Sequence, residues 1–215
     1  MRVRLVALVG VVALVLAGCA GGGTPEVTPS QETTTTAEAE APEEPSEEPA
    51  ETEEPAPSVG TREMPMKVGE ARKLADVSAW TIMLNGSNPD GATAIAAVDE
   101  YAPRPAEGEA FLIGNFSVTV EAAAIAQQGF DLANEGADPW QSLFFEYVAA
   151  DGTSYNGASG SMCYTPTMLH SAGTLYQDGA TATGDVCIAL PTDKIPGGLW
   201  RVSNQQNDNL WISVE

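Results

Sequence analysis

Histidine, cations and long apolar runs are all scarce in this chain. His170 is the only histidine among 215 residues. A zinc site takes three or four nitrogen or sulfur ligands, so a histidine-built metal centre is excluded and no metal or cofactor is expected. Nine Lys plus Arg stand against 30 Asp plus Glu, a formal net charge of -21. Phosphate backbones repel such a chain, which removes nucleic acid from the expected partners. A membrane-spanning helix needs ~20 apolar residues, and the N-terminal run Leu5 to Leu16 has 12. Catalytic motifs are missing as well. No G-x-S-x-G occurs (Gly157 to Ser161 reads GASGS), and no S-x-x-K precedes Lys67, Lys73 or Lys194. The carboxylates nearest to a calcium cluster are Asp90, Asp99 with Glu100, and Glu135 with Asp138, and none follows the spacing of a helix-loop-helix calcium site. No catalytic residue is assigned.

What the N-terminus does have is a short cationic start, Arg2 and Arg4, ahead of that apolar run. The length suits the core of a secretion signal. Leu16-Ala17-Gly18-Cys19 then resembles the bacterial lipobox. The resemblance implies cleavage between Gly18 and Cys19, loss of residues 1–18, and a diacylglycerol on the Cys19 thiol. Two or more acyl chains anchor a protein stably where one does not. The expected location is the extracytoplasmic face of the cell membrane, with the membrane as partner through the lipid. The rival reading is a plain secretion signal followed by a chance cysteine.

Residues 19–60 have another composition. Thr33 to Ser58 reads TTTTAEAEAPEEPSEEPAETEEPAPS, rich in Glu, Pro and Thr and free of Lys, Arg and aromatics. A segment of this kind buries too little apolar surface to offset chain entropy, and proline with like-charge repulsion extends it. An acidic, disordered tether is expected.

Residues 61–215 carry strand periodicity. Trp80, Ile82 and Leu84 alternate, as do Phe116, Val118 and Val120, then Leu143, Phe145 and Tyr147, then Val186, Ile188 and Leu190. Asp151-Gly152 reads as a hairpin turn leading to Tyr155. GLWRVS and LWISVE form a last pair around a polar loop, Asn204 to Asn209. The one helix expected is Glu121 to Gln128. Seven or eight short strands with turn signals between them imply an all-β sandwich or barrel. Cysteine arithmetic adds a staple. With Cys19 set aside for lipid, Cys163 and Cys187 are left to pair in an oxidising compartment. Period 2 puts Cys187 on the face opposite Val186, Ile188 and Leu190, so the bridge is expected at the sheet surface or edge, pinning a loop.

The KVGE at Lys67 to Glu70, the Trp80 strand, PRPAEGEAFLIGNFSVTV at Pro103 to Val120, VAADGTSY at Val148 to Tyr155, and DVCIALP with GGLWRV occur in that order. In this order they resemble an immunoglobulin-like family of bacterial lipoprotein domains, akin to immunoprotective extracellular antigens. The resemblance implies an immunoglobulin-like antiparallel β-sandwich and no assigned activity. Glu121 to Trp140 is longer and richer in alanine than that pattern. Among the four tryptophans, Trp80 reads as core. Trp140, in a Gly/Asp/Pro stretch, and Trp211, opposite Leu210 and Ile212, are candidate contacts for an envelope protein partner. The function expected is binding or scaffolding at the cell envelope. The alternatives are a passive structural or antigenic surface protein and an envelope hydrolase.

Overall fold

The computed structural model describes residues 59–214. The lipobox, Gly18 and Cys19, and nearly all of the expected tether lie outside the described residues. Among the described residues, with 3₁₀ turns at Leu169–Ser171 and Thr192–Lys194, eight strands and four α-helices follow one another. They are β1 (Ala71–Lys73), β2 (Trp80–Asn88), α1 (Gly91–Val98), β3 (Glu109–Val120), α2 (Ala122–Gln127), α3 (Leu132–Glu135), α4 (Pro139–Ser142), β4 (Leu143–Val148), β5 (Ser154–Asn156), β6 (Thr181–Pro191), β7 (Leu199–Asn204) and β8 (Asn209–Ser213). None of the described helices is long and apolar enough to cross a membrane.

Period-2 alternation builds the strands. On β2, Trp80, Ile82 and Leu84 are buried while Thr81 and Met83 are half-exposed. On β3, Phe116, Val118 and Val120 point inward. The strands form two four-stranded antiparallel sheets, ordered β1-β2-β3-β6 and β5-β4-β7-β8. The chain crosses between sheets from β3 to β4 and again from β6 to β7. Because β3 pairs antiparallel with β6 and β4 with β7, the two crossings lie at opposite ends of the sandwich. That is the Greek-key wiring of an immunoglobulin-like sandwich.

The inner faces meet around Trp200 of β7, which is fully buried. Its ring packs edge-on against Phe116 of β3 (5.3 Å between centroids) and Tyr147 of β4 (5.7 Å), the geometry aromatic quadrupoles favour. The indole N–H donates to Ser87 Oγ at 3.1 Å, so the polar end of the ring is satisfied. Tyr147 likewise donates its hydroxyl to the Ile195 carbonyl, tying β4 to the β6–β7 connection.

A second, smaller cluster lies on the outer face of the first sheet: Ile95, Phe111, Ile113, Met168, Cys187 and Ala189. Helix α1 covers part of it. Asp90 caps this helix by accepting the Thr93 N–H, the usual N-cap device. At Gly91 the helix comes so close to the sheet that a Cβ would stand 2.6 Å from the Phe111 carbonyl oxygen. The expectation of a single helix is therefore corrected. α1 was hidden because its first residue is Gly91 and only Gly91 and Ile95 are buried, too few for a visible 3.6-residue stripe.

The rest of that outer face is polar. Asn85 stands at a β-bulge, where the β2–β3 register shifts between Leu84 and Gly86. It donates to Asn115 Oδ1 (2.8 Å) and Ser117 Oγ (3.0 Å). Hydroxyl pairs Ser117–Thr183 (2.9 Å) and Thr119–Thr181 (2.7 Å) continue the row across β3 and β6. Asp185 accepts from Asn115, Thr165 and Thr167 at 2.6–2.9 Å, which holds the segment before β6 against its edge.

Candidate functional site

Cys163 and Cys187 are joined in a disulfide, with their Cα atoms 5.7 Å apart. The bridge ties the segment before β6 to the outer face of the first sheet. The expected surface position needs correcting, since Cys187 is only 3% exposed. The outward-facing residues of this strand half are covered by α1 and by the 163–169 segment, so β6 is apolar on both faces where sequence alternation indicated one.

The two candidate tryptophans lie in different places. Trp211 sits in the outer row of the second sheet. Register aligns it with Arg201, and Arg201 with Glu146. Arg201 donates to Glu146 through Nε at 2.8 Å and through a terminal nitrogen. The guanidinium carbons of Arg62 and Arg201 lie 5.5 and 5.8 Å from the Trp211 ring centroid, within cation–π range. The ring is half-buried and engaged by the chain's own cations.

Trp140 is more open, at 39% exposure. It belongs to α4, not to the irregular stretch expected, and Asp138 caps that turn by accepting the Trp140 N–H at 2.9 Å. Its ring stacks on Phe145 (6.1 Å, 10°) and meets His170 at 5.7 Å. His170 in turn meets Tyr164 at 6.4 Å. Tyr164, His170 and Trp140 thus form an exposed run of rings along the flank of the sandwich. Among the described residues His170 has no hydrogen-bonded serine or carboxylate, so no nucleophile–base pair is assembled on it.

Beside α4 lies an open cleft of about 700 Å³. It occupies the end of the sandwich where β2, β4 and β8 begin and β3 and β7 finish. One wall is the long β3–β4 connection, with Ala124, Ile125, Gln127, Gln128 and Phe130; the other is the β7–β8 turn, Asn204 to Asp208. The floor includes Ala79 and Trp80. Sequence alone marked that connection as long and rich in alanine without showing that it builds a wall. Alanines pack α2 low against the sheet, with Ala124 and Ile125 buried, and the short α3 and α4 raise its rim.

Three carboxylates line the cleft, Glu135, Asp138 and Asp208, and none of the seven Lys and Arg residues in the described region does. The carboxylates already have structural partners. Glu135 accepts the Asp131 N–H at 2.6 Å. Asp138 accepts from Trp140 and from the Gln141 amide (2.9 Å each). Asp208 accepts from Asn204 at 2.8 Å. By contrast, the side-chain amides of Gln127, Gln128, Gln205 and Gln206 are exposed and make no hydrogen bond among the described residues. Asp90 is occupied as the cap of α1, and Asp99 accepts the Tyr101 N–H at 3.0 Å. No group of three or more His, Cys, Asp or Glu among the described residues is placed to hold a metal ion.

Charged groups with displaced pKa values lie elsewhere. Lys194 beside Asp151 (2.8 Å) and the Thr153 N–H hold the Asp151 carboxyl down at about 2, and the same contact raises Lys194. The Ser161 hydroxyl lowers Glu109, and the Asn134 amide lowers Asp131. Burial raises Tyr147.

No known protein family is matched by the chain, and no curated protein is similar to it. Two solved structures share a distant likeness. One is a conserved hypothetical protein from Bacillus anthracis, 10% identical, with 69% of this chain and 95% of that chain covered and a TM-score of 0.37. The other is an uncharacterized beta-sandwich protein from Clostridium difficile 630, 12% identical, with 70% and 95% covered and a TM-score of 0.34. At that distance neither carries an argument about function.

Proposed function

We propose that this is a lipid-anchored extracytoplasmic protein that presents a binding domain at the cell envelope. The anchor rests on Leu16-Ala17-Gly18-Cys19 behind a cationic start and an apolar run. The binding role rests on one observation, the cleft at the β3–β4 end with its unengaged glutamines. Binding residues concentrate on loops held by a rigid scaffold, and the cleft is a loop-built site on a packed sandwich. Of the two candidate tryptophans, Trp140 is the better placed contact. It stands on α4, whose Gln141 and Ser142 line the cleft, whereas Trp211 is engaged by Arg62 and Arg201.

A hydrolase is the weaker reading. A glycosidase-type acid needs a carboxyl with a raised pKa. The three carboxyls with resolved shifts, Glu109, Asp131 and Asp151, are all lowered. None of them lines the cleft.

Two measurements test the proposal. Mass spectrometry of the membrane fraction should find a lipid-modified N-terminal Cys19, and Cys19→Ala should move the protein out of that fraction. A Cys19→Ala form that stays equally membrane-bound rules out the anchor. For the binding role, cross-linking in whole cells should yield adducts that Phe130→Ala with Gln128→Ala weakens. If no adduct depends on the cleft, a passive surface protein is the correct reading.

A further inference from the structure

Resting on that reading, we infer that the cleft takes an uncharged oligosaccharide bearing N-acetyl groups. Charge is the first filter. Three carboxylates without a lining cation repel phosphates and anionic polymers. Part of the carboxylates' accepting capacity is spent on backbone and amide N–H groups of the cleft walls, and a cationic peptide is the rival occupant. Charge thus removes anions, and the amides next argue for a neutral ligand.

Hydrogen-bonding capacity is the second filter. Each glutamine amide offers two N–H donors and a carbonyl acceptor. Gln127 and Gln128 line one wall and Gln205 and Gln206 the other, and none of the four amides is engaged among the described residues. A matching ligand must supply both donors and acceptors at close spacing without charge. Sugar hydroxyls do so, and an acetamido group pairs with a glutamine amide donor to acceptor and acceptor to donor.

The apolar surface is the third. Phe130 is 56% exposed at the rim, and Trp80, Ala124 and Ile125 lie beneath it. A pyranose ring has an apolar C–H face and a polar edge, so it can lie on such a surface while its substituents reach the amides. The volume falls within the range of about 300–1,000 Å³ typical of small-ligand sites.

The test uses the full chain purified in detergent, with the N-acetylglucosamine tetramer as the probe. Maltotetraose serves as the hydroxyl-only sugar, and a neutral and a lysine-rich decapeptide as the peptide alternatives. Saturation-transfer NMR and calorimetry should show binding of the N-acetylated tetramer, weaker binding of maltotetraose, and none of either peptide. Gln127→Ala with Gln205→Ala should weaken tetramer binding by about tenfold or more, through the loss of two neutral hydrogen-bonding groups. Phe130→Ala should act similarly, with both variants melting as wild type does.

The sugar inference is overturned if the tetramer fails to bind at millimolar concentration, or binds equally well in folded cleft variants. If a peptide binds instead and the cleft variants abolish it, the binding-domain reading survives and the sugar inference falls. If no probe binds and the cell cross-links are also independent of the cleft, both fall.

Discussion

Replacing Cys163 and Cys187 together by alanine tests what the bridge contributes. The bridge closes a loop of 24 residues. In the chain-entropy relation that constraint is worth about 3.5 kcal/mol at 25 °C. Alanine also removes the sulfur from a site that is 3% exposed, among Ile95, Phe111, Ile113 and Met168. The loss of one buried methylene-sized group adds about 0.8 kcal/mol. Together the double variant should be less stable by roughly 4 kcal/mol. For a domain of this size each kcal/mol moves the melting temperature by about 2–4 °C, so scanning calorimetry should show a fall of roughly 8–16 °C. Wild type in strong reductant should lose nearly as much. Hydrogen exchange locates the change. The Asp185 amide, bonded to the Thr167 carbonyl at 2.7 Å, should lose protection before the amides of β3 and β7. A fall below about 3 °C, under one kcal/mol by the same scaling, would refute the reasoning. So would uniform loss of protection, which would mean that the bridge restrains the whole sandwich and not this segment.

Three further substitutions probe the core and the surface. Gly114→Ala would place a Cβ 2.7 Å from both Phe116 and Trp200 ring atoms, and such overpacking should cost about 1–3 kcal/mol, read as a lower urea midpoint; an unchanged midpoint would mean that the aromatic cluster is looser than described. Tyr147→Phe removes the hydroxyl donor to the Ile195 carbonyl, leaving that oxygen only the Gly198 N–H at 3.4 Å, and should cost about 1 kcal/mol in the same assay. Because burial raises the Tyr147 phenol above its ordinary 10.0, its contribution is complete below that pH and is lost as pH climbs through the folded value, and alkaline absorbance titration should show one late-ionising tyrosine that Tyr147→Phe removes. For Asp151, lowered from 3.8 to about 2, the stabilisation is present above 3.8 and lost as pH falls through about 2. Carboxyl NMR titration should report that low value, and Lys194→Ala should return it toward 3.8; an unmoved Asp151 would place the cause in the Thr153 N–H alone.

The sandwich was legible in the sequence because its strands obey a strict period of 2 where one face is buried. Trp80, Phe116, Phe145 and Val186 each announce an inward face. Legibility failed where that rule breaks. β6 is covered on both faces near Cys187, so alternation put the bridge at a surface that α1 in fact covers. The edge strand β1 is only three residues long and none of them is fully buried, which leaves no pattern to read. The cleft was visible only as an anomaly, a connection longer than its surroundings require. Its walls come from residues some 80 positions apart, Gln127 and Gln206, and nothing local to either records that they line one cleft. The glutamines themselves carry no signal, since an exposed amide is ordinary until its neighbours fail to engage it.

Electrostatics narrows what the cleft can discriminate. Of the seven cations in the described region, Lys73 is paired with Glu121, Lys194 with Asp151 and Arg201 with Glu146, while Arg62 lies over Trp211. Lys67, Arg72 and Arg104 remain, and none lines the cleft. The field around the domain is therefore broadly negative, with no basic patch to steer an anionic ligand or orient it on arrival. Steering by charge gives on-rate and register, and here it is not available for anions. For a neutral ligand, specificity must then come from hydrogen-bond direction and shape, which act only at contact. A site of that kind gains most when donors and acceptors are held still, and the walls show how this is done. Asp131 and Asp138 cap the short turns α3 and α4, and Asn204 closes the β7–β8 turn on Asp208 and Gln206. The carboxylates and Asn204 thus brace the walls and leave the glutamines free. Asp138→Ala should accordingly weaken a neutral ligand through loss of wall geometry, in spite of lowering the local negative charge. A purely electrostatic site would respond in the opposite direction for any ligand that carries negative charge.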